Sequence, residues 1–114
     1  MILLCSHLTM KWFAVEIFLR SLHPDSPGED WLWEDRIVLF SADNEASARA
    51  KAEEHGRKSE VEYVATVGGR CKWQFVRVGE CQELEGASLV EGLEVFSKFL
   101  KTDEVESISK PFAE

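Results

Sequence analysis

Residues Ser41 to Gly56, SADNEASARAKAEEHG, hold the strongest helical pattern in the chain, and the inward side of that helix must be drawn from Ala46, Ala48, Ala50 and Ala52. Alanines bury little area individually, yet they let a helix backbone come close to a sheet. Large side chains on the sheet must then supply most of the contact, at roughly 25 cal/mol per Å² of apolar area buried. Ser41 or Asp43 is suited to accept from the free amides at the helix start, Glu45 suits the first turn, and His55 suits the last. Gly56 is expected to end the helix in a left-handed conformation.

The surrounding segments read as the strands such a helix requires. From Trp12 to Leu19 the odd positions are Phe13, Val15, Ile17 and Leu19, and the even ones are Trp12, Ala14, Glu16 and Phe18, a period of two with apolar groups on both faces. The loop LHPDSPGED leads to a second strand, WEDRIVLF, in which alternation places Glu34 and Arg36 with Val38 and Phe40, and Asp35 with Ile37 and Leu39. Val61 to Val67 and Lys72 to Leu84 form a further pair around Gly68-Gly69, a dipeptide able to take the positive φ angles of a hairpin. In the later strand Trp73 and Phe75 are odd but Val76 and Val78 even, so a bulge near Val76 or at Gly79 is needed to keep one buried face. LEVFSKFL, Leu93 to Leu100, mixes helical spacing with strand-forming residues and is read as a final strand.

The expected fold is therefore α+β in the order β-β-α-β-β-β, a mainly antiparallel sheet of about five strands with one long helix on one face. At 114 residues and 45% apolar content the chain supports one domain. We assign it to residues 10–101. Residues 1–9 are expected to be a disordered leader before a natural start at Met10, and 102–114 a polar tail.

With MKWFAVEI at the start, WEDRIVLFSADNEASARAKAEEHG in the middle, WQFVRVGECQEL later and LEVFSKFL at the end, the chain resembles a family of small, mainly bacterial proteins, the domain of unknown function 4288 family. The similarity covers residues 10 to about 101. Its most specific pieces are the strand-to-helix segment with its acidic-arginine lead and the run Glu94 to Ser97. The family has no assigned activity, so the resemblance implies a fold pattern and a start at Met10 more than a function.

Charge and composition exclude several functions. Thirteen Lys and Arg against 21 Asp and Glu leave a formal charge of −8, which repels nucleic acid phosphates. Three cysteines without CxxC spacing form neither a disulfide framework nor a zinc site and fit a reducing cytoplasm. No apolar run reaches the roughly 20 residues that cross a bilayer. His23-Pro24-Asp25 matches a co-chaperone tripeptide, but it follows a strand rather than a basic helix and reads as a turn. No metal-ligand spacing, nucleophile elbow, phosphate loop or dinucleotide fingerprint is present, so neither a metal nor another cofactor is expected.

What remains is a binding or interaction module, expected to be non-enzymatic and to use the helix-free sheet face or a sheet edge. One helix covers one face only, and large apolar patches seldom stay exposed. Its partner would be a second copy or another protein. Trp12, Phe18 and Trp73 are the candidate anchors, with Glu16, Glu34 and Arg36 for orientation. Two alternatives stand beside this reading. One is a small enzyme with Glu16, Glu34 or Glu94 as acid or base and Ser97 or an arginine holding the substrate. The other is an acidic neutralising protein of the immunity type, suggested by size and charge.

Overall fold

The structure is a computed structural model, and it describes residues 10–25, 32–64, 69–85 and 89–110. Four strands, β1 (Lys11–Leu22), β2 (Trp33–Ala42), β3 (Val61–Val64) and β4 (Arg70–Glu83), form one antiparallel sheet in the order β2-β1-β4-β3. Helix α1 (Glu45–Lys58) joins β2 to β3, and a short helix, α2 (Thr102–Ser109), lies near the C-terminus. The α+β class and the antiparallel sheet are as expected. Among the described residues the sheet has four strands rather than about five, and a second helix occupies the segment read as a polar tail.

β1 is central because it is apolar on both sides. Its odd residues Phe13, Val15, Ile17 and Leu19 are buried against Ala48 and Ala52 of α1, together with Phe75 of β4. Of the four alanines expected to face inward, only Ala48 and Ala52 do; Ala46 and Ala50 are exposed, as the helical spacing of four requires. Gly56 continues the buried row. A Cβ there would run into the Phe75 ring and stand 3.2 Å from Ile17 Cγ2, so this glycine serves close packing. It does not end the helix, which continues to Lys58 with Ser59 as its cap. At the other end Asn44, rather than Ser41 or Asp43, caps the helix by accepting from the Ser47 amide at 2.9 Å.

β4 carries two bulges against β1. Leu19 and Phe18 pair with Phe75 and Arg77, leaving Val76 extra, while Ile17 and Val15 pair with Val78 and Cys81, leaving an extra residue at Gly79-Glu80. Both positions suggested by the phase break are used. The bulges keep Trp73, Phe75, Val78 and Cys81 against the helix side although their parity changes twice. β3 pairs with Arg70 to Trp73 in the hairpin expected there, with Gly69 at φ 83°; Gly68 lies outside the described residues, as does the leader 1–9. Beyond the short β3 the Glu60 carboxylate accepts from the Phe75 amide at 3.0 Å and stands in for a ladder partner.

Leu93–Leu100 has no regular secondary structure and joins no ladder, contrary to the strand reading. Side chains hold it instead. The Ser97 amide donates to Gln82 Oε1 at 2.9 Å, Gln82 Nε2 lies 3.1 Å from Ser97 Oγ, and Lys98 reaches Glu16. Because Gln82 pairs with Ala14, these contacts lay the segment over the helix-free face. Among the described residues no helix is long and apolar enough to cross a membrane.

Candidate functional site

Glu16 is the one acidic residue of the central strand β1, set between apolar neighbours and fully enclosed, with 1% of its surface exposed. Strand alternation aims it away from α1, onto the helix-free face with Phe18. A buried carboxylate is costly unless its oxygens are satisfied. Here the Gly79-Glu80 bulge turns the Glu80 amide toward it, and that amide donates to Oε1 at 3.1 Å. Lys98 donates to Oε2 at 2.7 Å. The third partner is Asp35, which sits opposite Phe18 on β2 and hydrogen-bonds to Glu16 side chain to side chain.

The two carboxyls share this space unequally. Burial acts to raise the pKa of Glu16, but hydrogen bonds from Asp35, Lys98 and the Glu80 amide outweigh it and hold the group below its ordinary value. Burial, followed by the hydrogen bond and the negative charge of Glu16, pushes Asp35 up to about 6. When the pair holds one proton, below about pH 6, that proton resides on Asp35, the more exposed partner, and the charge stays on Glu16 beside a lysine ammonium. The hydrogen bond to Glu16, in turn, raises the pKa of Lys98.

Phe18 floors the cluster. The Arg77 guanidinium lies 4.5 Å above its ring and the Lys98 ammonium 5.8 Å away, both within cation–π range. Glu16, Phe18, Arg77, Gly79, Glu80 and Lys98 line an open concavity of about 390 Å³, with Val78 at its wall. Gly79 is required by this arrangement, since a Cβ on it would lie 2.5 Å from Glu16 Oε1 and 2.7 Å from Phe18 Cε2.

The residues proposed from sequence separate into two groups. Trp12, Glu16 and Phe18 share the helix-free face, and Ser97 docks on it through Gln82. Glu34, Arg36 and Trp73 lie on the helix side, which overturns the expectation of one joint interface with Trp12 and Phe18. The register explains it, because Ile17 pairs with Arg36, Leu19 with Glu34 and Ser21 with Trp73, and residues directly opposite share a face. Arg36 grips Glu34 at 3.0 and 3.1 Å and donates to Ser59 Oγ at 3.0 Å, fastening the end of α1 to β2. The Trp73 indole meets the Tyr63 hydroxyl at 3.3 Å. Glu94 is exposed. Glu16, Glu34 and Glu94 thus do not converge: Glu16 lines a concavity that Arg77 shares, whereas Glu34 is paired with Arg36.

Asp35, Arg77, Gly79 and Lys98 complete the cluster and are not among the site residues proposed from sequence. Alternation already put Asp35 on the face opposite Glu34, but only the β1–β2 register brings it beside Glu16. Lys98 carried no signal, since its position follows from side-chain docking rather than a strand ladder. The turn motif also has a structural role: Asp25 accepts from the Arg70 amide at 2.8 Å and from its guanidinium at 3.2 Å, tying the β1 loop to the β4 start. Among the described residues no three His, Cys, Asp or Glu side chains are grouped to hold a metal ion.

Part of the helix-free face remains open. Trp33, Ile37 and Leu39 of β2 alternate with Asp35 on that side, and they are 55%, 45% and 43% exposed, with Trp12 beside them at 46%. A family model described as Domain of unknown function (DUF4288) matches residues 12–97. No curated protein and no solved structure matches the chain.

Proposed function

The chain belongs to the DUF4288 family, whose description assigns no activity, and we propose that it is a non-enzymatic interaction module that self-associates through its helix-free sheet face. The observation that carries this reading is the open row of Trp33, Ile37 and Leu39, continued by Trp12. α1 covers the opposite face, and the Leu93–Leu100 segment, fixed at Gln82 and Glu16, lies over β4 and β1. The row on β2, interrupted by Asp35, is left as an exposed, mainly apolar surface of the kind that marks a contact site. Asp35 in its middle and the Glu16–Lys98 pair at its border supply polar orientation, the mixture found at binding hot spots. A reducing cytoplasm suits the unpaired thiols of Cys71 and Cys81.

Light scattering across a concentration series tests the reading. We expect a dimer that Ile37→Glu with Leu39→Glu converts to a folded monomer. A wild-type chain that stays monomeric at high concentration would remove self-association.

A further inference from the structure

The C-terminal segment leaves its own body with its apolar side chains uncovered. After Lys98 anchors on Glu16, Phe99 is fully exposed and Leu100 41% exposed, and α2 presents Val105 and Ile108, one turn apart on one side, at 46% and 70% exposure. α2 packs against no other strand or helix among the described residues. It is nonetheless a formed helix start, with the Glu104 carboxylate accepting from the Lys101 amide at 2.7 Å.

We infer that residues 99–109 form an exchanged arm, which covers the Trp33-Ile37-Leu39 row of a second copy while the partner's arm covers this one. This rests on the self-association reading above and specifies what fills the face. Two surfaces of one chain, each open and apolar, satisfy each other in a two-fold pair. Their lengths agree. Three residues, if extended, and eight helical ones reach about 20 Å, and so does a strand from Trp33 to Leu39. The area is also sufficient: over two copies, the exposed surface of Trp12, Trp33, Ile37, Leu39, Phe99, Leu100, Val105 and Ile108 is on the order of 2,000 Å², against the roughly 1,200–2,000 Å² of specific interfaces. The arm starts at the edge of the face, because Glu16, which holds Lys98, pairs with Ile37. Anchoring at that point gives the arm a fixed exit and lowers the entropy lost on docking.

The test uses the full chain in two variants, an arm variant with Phe99→Glu and Ile108→Glu and a face variant with Ile37→Glu and Leu39→Glu. All four positions are exposed, and thermal melts verify that both variants fold. Each variant alone should be monomeric, with self-association weakened by more than about tenfold. Mixed, they should form a heterodimer, because an intact arm then meets an intact face. If the arm variant still dimerises while the face variant does not, arm exchange is overturned and the face reading stands. If the arm variant is monomeric and the face variant dimerises, the face reading fails. Two monomeric variants that do not associate on mixing also overturn the exchange.

Discussion

The backbone of Gly79 and the carboxylate of Glu16 are fitted to one another: a Cβ on Gly79 would stand 2.5 Å from Glu16 Oε1, while the next amide, of Glu80, donates to that same oxygen. The bulge and the buried charge are therefore one feature. Gly79→Ala should destabilise the fold by about 1–3 kcal/mol, as overpacking does. In a Glu16→Ala background the same change should cost measurably less, leaving only the Phe18 contact to relieve. A double-mutant cycle by urea denaturation checks this, and additive effects would uncouple the pair.

Lys98 is the cation that makes the burial of Glu16 tolerable. Lys98→Met should cost about 1–3 kcal/mol, since it leaves a buried carboxylate short of a partner. The Glu16 pKa should rise from its lowered position, a change readable by carbon NMR of the carboxyl. An unmoved titration would mean that the lysine contact is not formed in solution.

Asp35 gives stability a pH dependence of its own. Its folded pKa of about 6 lies above the unfolded 3.8, so the folded state binds the proton more tightly. By linkage this contribution weakens stability as pH rises from about 4 to about 6, and it is restored as pH falls back through that window. Glu16, lowered in the fold, acts with the opposite sign: its contribution is present above 4.5 and lost on further acidification. Asp35→Asn should therefore flatten the profile between pH 4 and 6 and raise stability at neutral pH by on the order of 1 kcal/mol, a figure reduced for solvent screening at this exposed residue. Thermal melts at several pH values measure it, and an unchanged slope would reject the shared proton.

Gly56 lies within the last turn of α1, where alanine is ordinarily favoured over glycine by up to about 1 kcal/mol. Here the added methyl meets the Phe75 ring and Ile17. Gly56→Ala should thus lower stability, by about 1–3 kcal/mol, against the propensity trend. Chemical denaturation decides the sign.

Arg36 reads as a binding residue from its place in WEDRIVLF but lies on the helix side, clamped between Glu34 and Ser59. Arg36→Ala should cost about 1 kcal/mol of stability and leave self-association unchanged. Weakened association in a folded Arg36→Ala protein would move the interface to the helix side.

Much of the architecture is legible from local pattern. Period-two alternation in β1 and β2 assigned faces correctly, including the separation of Asp35 from Glu34 and Arg36. The parity break at Val76 located the bulges. What could not be read locally depends on register between distant strands. Only that register shows that Asp35 meets Glu16 and that Trp73 lies opposite Ser21, on the far side from Phe18. The Leu93–Leu100 segment misled for a different reason. Its residues have strand propensity, but Ser97 and Lys98 found partners on a sheet face, and propensity does not distinguish lying on a sheet from joining it.

The bulges also set a difference in contour length. Over the stretch where β1 runs from Phe13 to Leu22, ten residues, β4 runs from Lys72 to Glu83, twelve. At about 3.3 Å per residue the longer strand carries a surplus of about 7 Å that a flat ladder has no room for. The surplus has to be taken up by arching, and the Gly79-Glu80 arch coincides with the hollow at Glu16. Shortening β4 by Val76 alone would keep every remaining side chain on its present face. Removing Gly79 would as well, but it would straighten the strand where the hollow now lies and withdraw the amide that holds the carboxylate.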